Sequence, residues 1–190
     1  MKYTMARLRT MAHVILENVA IFDVEMVRFL RGRDKNNLNP EIMLKIGDRM
    51  PDFEVADQDG RMVSSKDLIG KKTIIYFYPK DNTSGCTAEA CNLRDNHEAL
   101  IAKGYNVIGV SKDSAASHKK FAKKYELPFT LLADTSTQML QAFGAWGEKK
   151  MYGKTAMGTL RRTFIFDEKG ILTEVIEDVD TKNHAAQILK

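Results

Sequence analysis

The chain contains few cysteines, which cross-link a protein, and few prolines, which kink it. Its 190 residues include only two cysteines and four prolines, and tryptophan is also rare, with one residue. Cys86 and Cys91 lie close together in the sequence, so a disulfide between them would close too short a loop to stabilise a fold as the bridges of a secreted domain do. We therefore expect a reducing, cytoplasmic setting. The sequence also contains no internal repeat and no low-complexity tract.

Long apolar runs and one-sided charge are also missing. The mostly apolar run at residues 11–16 is short and acidic residues follow it, which excludes a signal peptide or a membrane span there. Residues 1–42 hold seven Lys/Arg and five Asp/Glu, which leaves 22 basic and 20 acidic residues for the rest. The clustered lysines at 119–124 have the helical spacing of a solvated face. Neither nucleic acid nor a membrane is an expected partner.

The first 42 residues differ from the remainder. The whole chain of 190 residues is 44% hydrophobic, which is enough for one domain with its own core. A polar, turn-rich stretch at 31–40 separates the start of the chain from that domain. We expect residues 1–42 to be an N-terminal extension and linker, and one hypothesis makes them an over-extended start with Met43 as the initiator. The rival is a real amphipathic helix. Peptides from 1–42 in the native protein, detected by mass spectrometry, would decide against the first hypothesis.

From residue 43 to 190 the pattern alternates between strands and helices. The β-branched and aromatic run at 73–78 predicts a strand buried on both faces, and 107–110 repeats the pattern more briefly, as central parallel strands do. Further elements are predicted as an opening hairpin around 57–60, helices at 83–103, 114–125, 136–143 and from 182, a strand at 129–132, and a second hairpin at 162–176. This order predicts an α/β fold of thioredoxin-like type, with a mixed central sheet flanked by helices and an N-terminal hairpin.

Cys86 lies where a strand has ended and a helix should begin. The unpaired N–H groups and the dipole at a helix N-terminus stabilise a thiolate. Thr83, three residues earlier, is placed to cap this turn and to donate towards the sulfur. Pro79 ends the strand and, having no N–H, would form a wall of the pocket. The segment is therefore a candidate thiol redox site.

Cys91 follows five positions later in the same predicted helix. Helix geometry would put the two Cα atoms about 8.6 Å apart on nearly opposite faces. A disulfide needs Cα atoms within about 7 Å of each other. If the two sulfurs bond, the first turns of the helix must unwind. Without oxidation, Cys91 is an ordinary helix residue.

The spacing of Pro79, Thr83 and Cys86 resembles the P-x-x-x-T-x-x-C signature of peroxiredoxins. Residues 44–53, 85–95 and 146–154 resemble the bacterioferritin comigratory protein, or PrxQ, subfamily. The resemblance runs from Met43 to the end of the chain and leaves the first 42 residues without a counterpart, which also favours Met43 as the start.

The resemblance implies a thiol-specific peroxidase in antioxidant defence and cell redox homeostasis. Cys86 would reduce hydrogen peroxide or organic hydroperoxides and become a sulfenic acid, and Cys91 would resolve it as an intramolecular disulfide. Thioredoxin is the implied reductant and glutaredoxin its alternative. No cofactor and no metal are implied, and the protein would be a monomer or a weak homodimer.

The family also carries a pocket arginine in the pattern R-x-[ST]-F. Residues 161–164 match it with Arg161 first, so Arg161 is the implied catalytic arginine. A permanently charged guanidinium would hold the thiolate and polarise the peroxide. Strand alternation allows only one of Arg161 and Arg162 to face the pocket, and Arg162 is the alternative.

Two other functions compete with this interpretation. A thioredoxin-like thiol-disulfide oxidoreductase would share the fold but is expected to carry C-x-x-C, which the sequence lacks. A metal module built from Cys86, Cys91 and His97 is disfavoured because three ligands spaced along one helix point to different faces.

Overall fold

The computed structural model describes residues 44–151 and 154–190. The expected extension at residues 1–42 lies outside the described residues. The strands are β1 (Glu54–Ala56), β2 (Met62–Ser64), β3 (Lys72–Phe77), β4 (Tyr105–Ser111), β5 (Thr130–Ala133), β6 (Trp146–Met151), β7 (Lys154–Thr159), β8 (Arg162–Phe166) and β9 (Leu172–Ile176). The helices are α1 (Ser84–Asp95), α2 (His97–Ala102), α3 (Ala115–Tyr125), α4 (Gln138–Ala142) and α5 (His184–Ile188), with a short 3-10 helix at Ser65–Leu68.

Five strands form a central sheet in the order β5-β4-β3-β8-β9. Strand β4 pairs in parallel with both β3 and β5, whereas β8 pairs antiparallel with β3 and β9. The predicted mixed sheet with central parallel strands is therefore confirmed. The predicted opening hairpin is the separate antiparallel pair β1–β2.

Alternate residues of β3 face two different halves of the core. Ile74 and Tyr76 contribute to a buried cluster shared with α1, α2, α3 and α5, which also contains Cys86. Ile75 and Phe77 contribute to a second cluster that includes residues of α4. The continuous apolar run of β3 reflects this burial on both faces. The sheet thus lies between helices, and the carboxyl end of β3 leads through residues 78–83 into α1.

Two predictions of local structure are corrected. The single helix expected at 83–103 is divided into α1 and α2 at Asn96, whose backbone angles are φ −109° and ψ 12°. The Asn96 side-chain amide donates to the Asn92 carbonyl at 2.8 Å, a local bond that competes with the helical ladder. The antiparallel hairpin β6–β7 was not predicted, because its sequence lacks the period-2 apolar alternation of a half-buried strand.

The helices of the described residues offer no candidate membrane span, since none combines the length and the apolar character that crossing a bilayer requires.

Candidate active site

Cys86 is the third residue of α1 and is almost completely buried, with 1% of its surface exposed. Cys91 is half-buried in the same uninterrupted helix, and both cysteines are free thiols. The structure therefore places the two cysteines in one helix, as the sequence predicted, and no disulfide joins them. Neither thiol can reach the other while this helix keeps its regular geometry.

A short loop connects β3 to α1 and fixes where the helix starts. Tyr78 extends the strand by one further bond, from its N–H to the Val110 carbonyl at 3.1 Å. Pro79 follows and is half-buried. Asn82 then adopts the left-handed region, with φ 58°, which turns the chain into the helix. We call residues 78–83 the active-site loop.

Thr83 is the N-cap residue of α1, but its hydroxyl does not cap the helix. Instead the Thr83 Oγ1 donates to the Lys80 carbonyl at 3.0 Å, and the side chain is exposed. The expectation of a capping hydroxyl that also points at the sulfur is corrected: Thr83 closes the active-site loop on itself. Its backbone carbonyl does start the helix, by accepting from the Thr87 N–H at 2.8 Å.

Arg161 is the arginine beside the thiol. Its Nη2 lies 3.3 Å from the Cys86 Sγ. Arg162 lies elsewhere, with its Nη1 donating to the Gly144 carbonyl at 2.6 Å and its Nη2 3.7 Å from the Glu177 carboxylate. Burial lowers the pKa of Arg161, but Glu89 and Cys86 raise it above its ordinary value. A fixed cation therefore faces the sulfur.

Glu89 holds the other side of that guanidinium. It follows Cys86 by three residues on α1, is fully buried, and forms an ion pair with Arg161 Nη1. Burial raises the pKa of Glu89 to about 7, although Arg161 pulls it down. Sequence reasoning missed this residue. The signal was present, because positions i and i+3 of a helix share a face and a carboxylate there is placed to meet the same cation as the thiolate.

His184 lies behind Glu89. Its Nδ1 is 3.3 Å from Glu89 Oε1, and its Nε2 is 2.9 Å from Thr163 Oγ1. Burial and the nearby Arg161 charge lower the pKa of His184 to about 4, so it is a neutral imidazole near neutral pH. No sequence pattern indicated this contact, because it depends on α5 packing against α1.

The described residues contain no group of three or more His, Cys, Asp or Glu side chains arranged to bind a metal. Cys86, Cys91 and His97 are not such a group in the described part of the chain. The chemistry that the site can offer is that of a buried sulfur with a cation against it.

The sequence matches the model of the AhpC/TSA family over residues 46–175. This chain belongs to that family. Peroxiredoxin Bcp of Escherichia coli is 43% identical over 152 residues, covering 80% of this chain and 96% of the relative. Peroxiredoxin Bcp of Bacillus subtilis is 43% identical over 147 residues, covering 77% and 94%.

Among solved structures, the bacterioferritin comigratory protein of Xanthomonas campestris superimposes with a TM-score of 0.70 at 29% identity, covering 79% of this chain and 95% of that one. The predicted peroxiredoxin membership, in the Bcp/PrxQ group, and the predicted thioredoxin-like fold are both confirmed. The family match spans all five predicted site residues, which are Pro79, Thr83, Cys86, Cys91 and Arg161.

Proposed function

We propose that this peroxiredoxin is a thiol peroxidase in which Cys86 attacks the peroxide and Cys91 resolves the product. The observation that carries the proposal is the Arg161 Nη2 lying 3.3 Å from the Cys86 sulfur at the first turn of α1. The helix N-terminus and the guanidinium both favour a sulfur anion, and only the anion is a strong nucleophile.

In the first step the Cys86 thiolate attacks one oxygen of the peroxide. A sulfur–oxygen bond forms, the oxygen–oxygen bond breaks, and the leaving alkoxide or hydroxide takes up a proton to give an alcohol or water. Sulfur loses two electrons and becomes a sulfenic acid. Arg161 stabilises the charge as it moves from sulfur to the leaving oxygen, which is where a fixed donor lowers the barrier most.

Arg161 lies between the buried sulfur and the surface. Cys86 has 1% of its surface exposed, whereas 21% of the Arg161 side chain is exposed. A small peroxide hydrogen-bonded to that guanidinium would lie next to the sulfur. Hydrogen peroxide and organic hydroperoxides both fit this requirement, since each carries the same O–O–H group.

In the second step the Cys91 thiol attacks the sulfenic sulfur, and water leaves as the intramolecular disulfide forms. Both cysteines belong to one regular helix, so this step requires α1 to unwind locally. A dithiol then returns the pair to two thiols by thiol–disulfide exchange and is itself oxidised to a disulfide. We assign the role of this dithiol to thioredoxin, with glutaredoxin as the alternative. We also propose that the protein works in a reducing cytoplasm, as a monomer or a weak homodimer.

The experiment is stopped-flow consumption of hydrogen peroxide and of a hydroperoxide by the reduced full chain, with Cys86→Ser and Cys91→Ser compared with the wild type. We expect Cys86→Ser to lose the fast reaction. Cys91→Ser should react once and stop as the sulfenic acid, because it cannot form the disulfide. Adding thioredoxin and its reductase should restart only the wild type.

Two results would overturn the assignment. Fast peroxide consumption by Cys86→Ser would exclude Cys86 as the nucleophile. Normal thioredoxin-driven turnover by Cys91→Ser would remove the resolving role of Cys91 while leaving the first step intact.

A further inference from the structure

His118, on α3, is completely buried and has a hydrogen-bond acceptor at each ring nitrogen. Its Nε2 is 3.1 Å from the Leu132 carbonyl of β5. Its Nδ1 is 2.9 Å and 3.1 Å from the two carboxylate oxygens of Asp81. A carbonyl oxygen can only accept, and an ionised carboxylate can only accept, so this arrangement needs a proton on both nitrogens. The ring is then an imidazolium.

The surroundings of Asp81 agree with a carboxylate rather than a carboxylic acid. Besides His118, it accepts from the Tyr78 hydroxyl at 2.8 Å and from the Ser117 hydroxyl at 2.7 Å. Burial raises the pKa of Asp81, but the bonds from His118, Ser117 and Tyr78 outweigh it and the pKa falls below its ordinary value. Donors that satisfy a buried charge in this way make the ionised form the stable one.

The groups that face His118 come from several elements. Asp81 and Tyr78 belong to the active-site loop, Ser117 to its own helix, and Leu132 to β5. The Tyr78 hydroxyl lies 3.3 Å from Nδ1. A second acidic side chain, Asp113, lies on the other side of Asp81 and accepts a hydrogen bond from the Asp81 backbone N–H at 2.9 Å.

Asp81 is at the centre of the active-site loop, between Pro79 and Thr83. Its side chain is bonded to α3 and its backbone N–H to the segment that follows β4. The loop ends where α1 begins, three residues before Cys86. The conformation of the loop therefore sets the position of the first turn of α1, and with it the position of the sulfur relative to Arg161.

We propose that His118 is a positioning residue for Cys86, acting through a buried imidazolium–carboxylate pair with Asp81 that fixes the active-site loop. The pair acts on one of the two conformations that the catalytic cycle needs. It fixes the loop from which the first turn of α1 starts, and that turn places Cys86 for the peroxide. The disulfide step unwinds the turn, so it does not depend on this placement. The inference rests on the proposed function, since it assigns a role within that cycle.

The first test needs no variant. Nitrogen-resolved NMR of the reduced, 15N-labelled full chain distinguishes an imidazolium, with two N–H groups, from a neutral ring with one. At neutral pH we expect His118 to show two and His184, whose pKa is lowered to about 4, to show a neutral ring. A neutral His118 in the reduced protein would overturn the proposal, whether or not the protein consumes peroxide.

The second test measures the two chemical steps separately. Single-turnover oxidation of Cys86 and the later loss of its sulfenic acid are followed by rapid quenching and mass spectrometry in wild type, His118→Gln and Asp81→Asn. His97→Gln is the matched control, since His97 lies half-buried on α2. We expect both loop variants to slow Cys86 oxidation about tenfold to a hundredfold, as displacement of a reacting group does. Disulfide formation should not slow.

The outcomes separate the two proposals. Wild-type oxidation rates in both loop variants, or an equal slowing of both steps, would contradict a positioning role for His118. If His118→Gln does not fold, Asp81→Asn carries the kinetic comparison, and the NMR result on the wild type still decides the charge state. Failure of the wild type to oxidise at Cys86 would instead contradict the proposed function.

Discussion

At the scale of single residues, the site depends on Arg161 serving two acidic groups at once. One guanidinium nitrogen faces the Cys86 sulfur and the other pairs with Glu89. A planar, forked guanidinium does this with two different nitrogens, whereas a lysine would have to serve both groups from one nitrogen. Glu89 also holds the guanidinium in place, so the cation does not have to be ordered when the peroxide arrives.

We predict that Arg161→Met slows oxidation of Cys86 by about 10²–10³-fold, the usual loss when one fixed donor is removed from a developing anion. Stopped-flow peroxide consumption measures this directly. Arg162→Met is the control, because Arg162 bonds to the Gly144 carbonyl and lies 3.7 Å from Glu177. Equal losses in the two variants would argue that Arg161 acts only through stability.

The sequence could identify some of these residues and not others. Cys86 was indicated by its place at the predicted start of a helix, whereas Arg161 was indicated by its match to the family pattern R-x-[ST]-F. Asp81 and His118 are 37 positions apart and meet only because the active-site loop packs on α3. Contacts of that kind depend on tertiary packing, and a single sequence carries no local pattern for them.

At the scale of elements, the two proposed chemical steps require different conformations of α1. As a regular helix from Ser84 to Asp95 it places Cys86 in the core, beside Arg161. The same regularity keeps Cys91 out of reach. The disulfide step therefore requires loss of the first turns of α1, and it does not require the central sheet, whose strand β8 begins directly after Arg161, to open.

We predict that forming the Cys86–Cys91 disulfide speeds amide hydrogen exchange in residues 84–91 and leaves β3 and β4 protected. The reason is that exchange reports local opening, and the disulfide is compatible only with the opened segment. Mass-resolved exchange on reduced and oxidised protein measures it. Cys91→Ser treated with peroxide should keep its protection, since it forms no disulfide. Unchanged exchange in the disulfide form would refute the unwinding.

Helix α3 corresponds to the helix predicted at 114–125. Ser114 caps it, with its hydroxyl accepting from the Ser117 N–H at 3.3 Å. We expect Ser114→Ala to lower the free energy of unfolding by about 1 kcal/mol, measured by urea denaturation. Lys120→Ala, at an exposed position of the same helix, should change it much less. Equal effects would show that the cap contributes nothing.

Elements were predictable where local pattern and burial agree. Strand β3 was predicted because a continuous β-branched and aromatic run is typical of a strand that is buried on both faces. The hairpin β6–β7, which forms a sheet of its own outside the central one, was missed because its lysine-containing strands lack the period-2 apolar alternation of a half-buried strand. The division of the predicted helix at Asn96 was not predicted, because it involves a side-chain hydrogen bond to the Asn92 carbonyl that has no sequence pattern.

At the scale of the whole molecule, two buried groups link folding to pH in opposite directions. The pKa of Glu89 is raised to about 7 in the fold, so its contribution to stability is complete below its unfolded value of 4.5 and is lost as pH rises towards 7. The pKa of His184 is lowered from 6.5 to about 4, so its contribution is present above 6.5 and is lost as pH falls towards 4. Between these limits the two effects offset each other.

We predict that Glu89→Gln exposes the His184 effect, so that stability rises with pH between about 4 and 6.5, at no more than about 1.4 kcal/mol per pH unit. His184→Gln should do the opposite and lose stability from about pH 4.5 to 7. Urea unfolding across this range measures both slopes. Slopes of the same sign in the two variants would contradict the assigned protonation states.

The most direct measurement for the account as a whole is chemical trapping of the first oxidation product. Reduced Cys91→Ser is mixed with one equivalent of hydrogen peroxide, treated with a sulfenic-acid reagent, digested and mapped by mass spectrometry. We predict a single labelled site, Cys86, formed at the wild-type rate of peroxide consumption. An unlabelled Cys86, with the peroxide consumed elsewhere on the chain or not at all, would contradict the account.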